Sequence, residues 1–153
     1  MTRVQMTPAP SFQRTIRALV AVGDDVTRDF VRTVLAESTK MNARLEIHTP
    51  PTIDEATLRV FAQSVRYDVC FLTLNNIRYT RHEPIADRLQ SSVTLVRDLV
   101  QQFSKPVLAL FGWPDDAKYP ARVIETGAVA VFRLPVRAEL LRDAITEALE
   151  LPA

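Results

Sequence analysis

Residues 105–112, KPVLALFG, and 125–149, ETGAVAVFRLPVRAELLRDAITEAL, carry the reading that decides the fold. The first stretch is a continuous apolar run of strand length, KPVLALF over 105–111, with its proline at the start, where a missing N–H costs a strand least. The second holds another apolar run, AVAVF over 128–132. After a proline, Leu140, Leu141, Ala144, Ile145, Ala148 and Leu149 follow at the three-and-four spacing of an amphipathic helix. A strand that is apolar at every position is buried on both faces. That is the signature of a parallel sheet covered by helices on each side.

The same alternation continues upstream. IRALVAV (16–22) and YDVCFLTL (67–74) read as further fully buried strands, and RLEIH (44–48) as a short alternating one. Phe30, Val31, Val34 and Leu35 mark a helix after the first strand. Thr52 stands three residues before Glu55, a capping-box spacing that opens a helix bearing Leu58, Phe61, Ala62 and Val65. Ile85, Leu89, Val93, Val96, Val100 and Phe103 predict a long amphipathic helix, and a short one is expected around 117–126. The order is five βα units. The expected fold is α/β, a doubly wound five-stranded parallel sheet between two helical layers, with any site at the carboxyl ends of the strands. Residues 1–14, with two prolines and few apolar side chains, are expected to be a flexible arm, and 15–153 a single domain.

Composition narrows the function. At 153 residues, 47% apolar and 24% charged, the chain suits one domain with a substantial core. A formal net charge of +1 offers no field for nucleic acid or membrane surfaces. No stretch approaches the ~20 apolar residues of a membrane span, and the start lacks a signal-peptide pattern, so a cytoplasmic protein is expected. Cys70, inside VCFL, is expected to be a buried, unreactive thiol. The three glycines, Gly23, Gly112 and Gly127, are too few and too scattered for a dinucleotide or phosphate loop.

KPVLALFG followed by G-A, an aromatic, L-P and E-L-L resembles the last third of bacterial response-regulator receiver domains, the phosphorylated modules of two-component signalling. VGDD (22–25) is similar to their acidic loop, and the run from Asp68 to Thr73 to their third strand. The resemblance spans about 16–150 and implies a receiver, or flavodoxin-like, three-layer α/β/α fold. It also implies a site in which two acids and an acceptor aspartate hold Mg²⁺ while a hydroxyl and a lysine bind the phosphoryl oxygens. Here Asp24 and Asp25 stand in the acidic loop, with a weak prospect of holding a metal. Thr73 replaces the acceptor, Phe111 the hydroxyl residue, Leu134 the lysine and Val131 the aromatic switch residue. The resemblance therefore implies a pseudo-receiver with no aspartyl phosphorylation, no catalytic residue and no cofactor. Asp24, Asp25, Thr73, Phe111 and Leu134 are expected to mark a degenerate, apolar pocket.

A second similarity is weaker. GDDVT (23–27) and TLNNI (73–77) resemble two blocks of SGNH-type hydrolases. Asp25, however, stands where that family's serine belongs, and its C-terminal Asp-x-x-His pair is absent, the only histidines being His48 and His82. What remains to carry function is surface. Asn75, Asn76, Arg78 and Tyr79, with Trp113 after the fourth strand, are candidates for a partner or small-ligand loop. Arg122, Arg133, Arg137 and Arg142 are candidates for the face through which receivers dimerise or meet partners. The expected activity is contact with a protein partner or a second copy; the alternative is a small-ligand sensor at the strand ends.

Overall fold

The structure is a computed structural model that describes residues 14–39, 43–78, 85–112 and 118–150. The expected N-terminal arm, apart from Arg14, lies outside the described residues, as do Tyr79, His82 and Trp113. Five parallel strands, β1 (Arg14–Ala21), β2 (Ala43–His48), β3 (Val69–Thr73), β4 (Val107–Phe111) and β5 (Ala130–Arg133), form one sheet in the order β2-β1-β3-β4-β5. The helices are α1 (Asp25–Thr39), α2 (Glu55–Ser64), α3 (Ile85–Arg97), α4 (Tyr119–Glu125) and α5 (Ala138–Leu149). The expected doubly wound α/β architecture is thus the observed one.

Strand composition follows sheet position. β3 and β4, in the interior, are buried at every residue, whereas β2, on one edge, alternates between half-buried and exposed. Parity divides the core. Leu19, Ala21, Cys70, Leu72, Val107, Ala109 and Phe111 face α2, α3 and α4, while Ala18, Val20, Val69, Phe71, Leu108 and Leu110 face α1 and α5. Fully burying each valine, leucine or phenylalanine among them contributes on the order of 1.5–3 kcal/mol. Burial pushes the Cys70 thiol up to about 12, so it is an inert protonated core residue, as expected. His48 ends β2 and lies 2.8 Å through Nδ1 from the Tyr67 hydroxyl. Burial raises that phenol to about 12 and keeps it protonated.

Three local expectations are corrected. The N-cap of α2 is Asp54, not Thr52: its carboxylate accepts from the Thr57 backbone N–H at 2.7 Å, and the Thr52 hydroxyl donates to Asp54. The helix expected to run through Phe103 leaves α-geometry after Arg97 and finishes as a π-helical turn, Asp98–Gln102. There Asp98 pairs with Arg59 on α2 at 2.7 Å, and Gln101 donates to the Thr126 carbonyl at 3.0 Å. Leu140, read as part of the buried stripe of α5, is 46% exposed.

The Asp54 cap sets a pH dependence. The Thr57 N–H holds the carboxyl below its usual range, since the bond favours the charged form. Because the folded value is depressed, the stabilisation is present above the unfolded value near ~4 and is lost as pH falls through the lower folded value. Asp54→Ala is expected to cost about 1 kcal/mol at neutral pH. The deficit is expected to shrink in strong acid, as read by urea unfolding at both pH values. An unchanged neutral-pH midpoint would contradict the cap.

Candidate functional site

The strand order reverses between β1 and β3, so the crevice of a doubly wound sheet opens at their carboxyl ends. Two of the residues there are Gly23 and Thr73. Thr73 is 1% exposed, and its hydroxyl accepts from the Gly23 N–H at 2.9 Å and leans toward the Ala21 carbonyl at 3.4 Å. The Thr73 side chain is therefore a tie between two strands. A 3₁₀ turn, Leu74–Asn76, follows at once. Asn75 Oδ1 accepts from the Gly112 N–H at 2.8 Å, which ties β3 to the end of β4 in the same way.

Asn76 closes the crevice from above. A Cβ placed on Gly23 would lie 2.4 Å from both Cβ and Cγ of Asn76, far inside van der Waals contact. The chain then buries Ile77 completely and pairs with the segment before α2. The Arg78 N–H donates to the Ile53 carbonyl at 2.9 Å, and the Glu55 N–H to the Arg78 carbonyl at 2.8 Å. Residues 74–78 thus form a strap from β3 to the start of α2. Asn75 and Asn76, expected on a partner loop, are components of that strap; the Arg78 side chain is exposed.

The two acids after β1 are engaged locally. Asp24 caps α1, accepting from the Thr27 N–H at 2.8 Å, and hydrogen bonding by Thr27 lowers its pKa. Asp25 pairs with Arg28 at 2.6 Å. Arg28 also donates to the Val22 carbonyl, at 3.1 Å from Nη2, so a cation occupies the end of β1. Sequence reading missed Arg28; the Asp25–Arg28 spacing of three on a helix was the available signal. Among the described residues, no third acidic, His or Cys side chain joins Asp24 and Asp25 in a metal-ligating group.

Phe111 lies on the opposite face of the sheet from Thr73 and Leu134. Phe111 is 1% exposed and turned into the α3–α4 side of the core. There it meets Tyr119 edge to face at 5.5 Å, and the Arg133 guanidinium lies 5.2 Å over its ring. The Tyr119 hydroxyl is hydrogen-bonded to Ser92, whose own hydroxyl donates to the Leu89 carbonyl. Leu134 belongs to the opposite face. With Pro135, Val136, Val26, Phe30, Asp24 and Thr27 it lines an open, mainly apolar cavity of about 560 Å³ between the start of α1 and the loop before α5. Phe111 and Leu134 thus belong to two separate apolar regions on opposite faces of the sheet, where a single apolar crevice was expected.

Three of the four arginines expected on a dimer or partner face have contacts within the chain. Arg122 donates to Gln90 on α3, Arg142 reaches Glu37 on α1 at 3.4 Å, and Arg133 covers Phe111, whereas Arg137 precedes α5 without a side-chain capping bond. Ile124 on α4 and Leu140 on α5 are the exposed apolar side chains on the helices flanking the β5 edge, 45% and 46% accessible.

No protein-family profile matches the chain, and no curated protein matches it in sequence. Solved structures do match. A response regulator from Thermotoga maritima superposes with a TM-score of 0.66 at 16% identity, covering 89% of this chain and 98% of its own. HP1043, an orphan response regulator of H. pylori, gives 0.63 at 14% identity, covering 90% and 98%. The signal receiver domain of an HD domain-containing protein from Pseudomonas fluorescens Pf-5 gives 0.62 at 22% identity, covering 90% and 96%. The fold is therefore that of receiver domains. The similarity extends over nearly the whole of each neighbour.

Proposed function

We propose that the chain is a receiver-like signalling module of the cytoplasm that acts by contact with a protein partner or a second copy, without aspartyl phosphorylation and without catalysis of its own. The observation that carries this reading is Thr73. It stands where a receiver's acceptor aspartate would stand, it is buried, and its hydroxyl is spent on β1. A threonine hydroxyl needs a neighbouring base to act as a nucleophile, and its nearest hydrogen-bonding groups are a backbone N–H and a carbonyl. Phe111 and Leu134 stand where the hydroxyl and lysine functions would be. Contact surface is available beside β5, where Ile124 and Leu140 flank an edge strand.

Incubation with acetyl phosphate and Mg²⁺ is expected to yield no phosphoryl adduct by intact-mass measurement, and beryllofluoride no saturable amide shifts around 23–25 or 73. The Thr73→Asp variant is expected to stay unmodified, because Asn76 still covers Gly23. Stoichiometric modification of the unaltered chain would overturn the reading.

A further inference from the structure

On the far side of the sheet from the α1 cavity, α3 and α4 enclose a second cavity, of about 240 Å³, lined by Gln90, Val93 and Arg97 of α3 and by Arg122, Glu125 and Thr126 at α4. Its floor is buried, with Val93 at 2% and Thr126 at 3% exposure, and its walls are charged. Arg122 is oriented by its hydrogen bond to the Gln90 side-chain carbonyl. Among the described residues neither Arg97 nor Arg122 forms an ion pair, although Glu125 lines the same cavity. Two guanidinium groups from different helices therefore border one small concavity, neither in an ion pair among the described residues. None of the six lining residues belongs to the receiver-like site described above.

We propose that this cavity is an oxyanion site for a small phosphoryl-bearing ligand. A guanidinium presents N–H donors in a fixed planar fork and prefers bidentate oxyanion partners. One fork satisfies the two coplanar oxygens of a carboxylate. Two forks carried on separate helices suit a tetrahedral group, whose terminal oxygens point in several directions. The Gln90 side-chain amide is a further donor at the rim. Glu125 opposes an anion and sets the net charge of the lining at one positive unit, so the site favours a group that the two arginines contact together over diffuse counterions.

The test uses the full chain, ¹⁵N-labelled, titrated with inorganic phosphate and separately with succinate, with sodium chloride holding ionic strength constant. Saturable shifts are expected at amides of 90–97 and 122–126 with phosphate, and clearly weaker ones with succinate. The Arg97→Gln/Arg122→Gln variant is expected to bind phosphate about tenfold more weakly or worse, and Glu125→Gln about threefold more tightly. Arg97→Gln alone, at an exposed position, keeps the test valid if the double variant is unstable. Identical shifts with chloride, or retention of binding in the arginine variants, would overturn the site. Equal affinity for succinate would overturn its assignment to a phosphoryl group. A negative result leaves the reading of Thr73 untouched, because that reading rests on a different end of the molecule.

Discussion

Phe111→Thr is expected to lower the unfolding free energy by about 3 kcal/mol. Phe111 is 1% exposed, packed edge to face on Tyr119 and capped by Arg133. Threonine removes most of that ring volume and leaves a hydroxyl in an apolar setting, so the cavity and polar-burial costs add. Urea unfolding is expected to show a lower midpoint with an unchanged slope. Phe111→Leu, which keeps the apolar character, is expected to cost less than half as much. A loss below ~1 kcal/mol for the threonine variant would show that the end of β4 is not packed as described.

The second large effect is expected at Gly23. Alanine there puts a methyl group 2.4 Å from two carbons of Asn76, and the strap must shift to admit it. Overpacking of this kind costs on the order of 1–3 kcal/mol. The contact involves the Asn76 Cβ itself, so Asn76→Ala does not relieve it and Asn76→Gly does. A double-mutant cycle with Gly23→Ala and Asn76→Gly is therefore expected to show favourable coupling, with the pair more stable than the sum of single effects predicts. Additive losses would mean that the two positions do not touch.

The fold was legible because burial on both faces leaves an unambiguous record. IRALVAV, VCFLT and VLALF could be neither surface strands nor amphipathic helices, and the helical stripes between them fixed the crossover pattern. Local competition between polar groups was less legible. Thr52 and Asp54 both carry capping oxygens near the start of α2, and Asp54 holds the position that faces the Thr57 N–H. The π-helical turn left no mark in the three-and-four spacing, because its partners, Arg59 and Thr126, lie far along the chain.

The placement of single residues was more legible than how they assemble. Thr73, Phe111 and Leu134 were assigned to strand ends, where they are. Register then sets Phe111 apart from the other two. Thr73 pairs with Leu110, so it shares a face with Leu110 and lies opposite in parity to Phe111. The contact of Asn76 with Gly23 and the convergence of Arg97 with Arg122 depend on distant segments meeting. No periodicity within either segment encodes them.

The closeness of Gly23 and Asn76 also constrains the history open to this chain. A side chain at 23 and one at 76 exclude each other, so position 23 cannot gain a side chain by a single substitution while the strap stays in place. Asn76 must first give way, and a chain with both positions bare has lost the contact and gained nothing. A change at 23 alone therefore passes through a less stable intermediate. Sequences descended from this one are expected to keep glycine at 23, or to change 23 and 76 together.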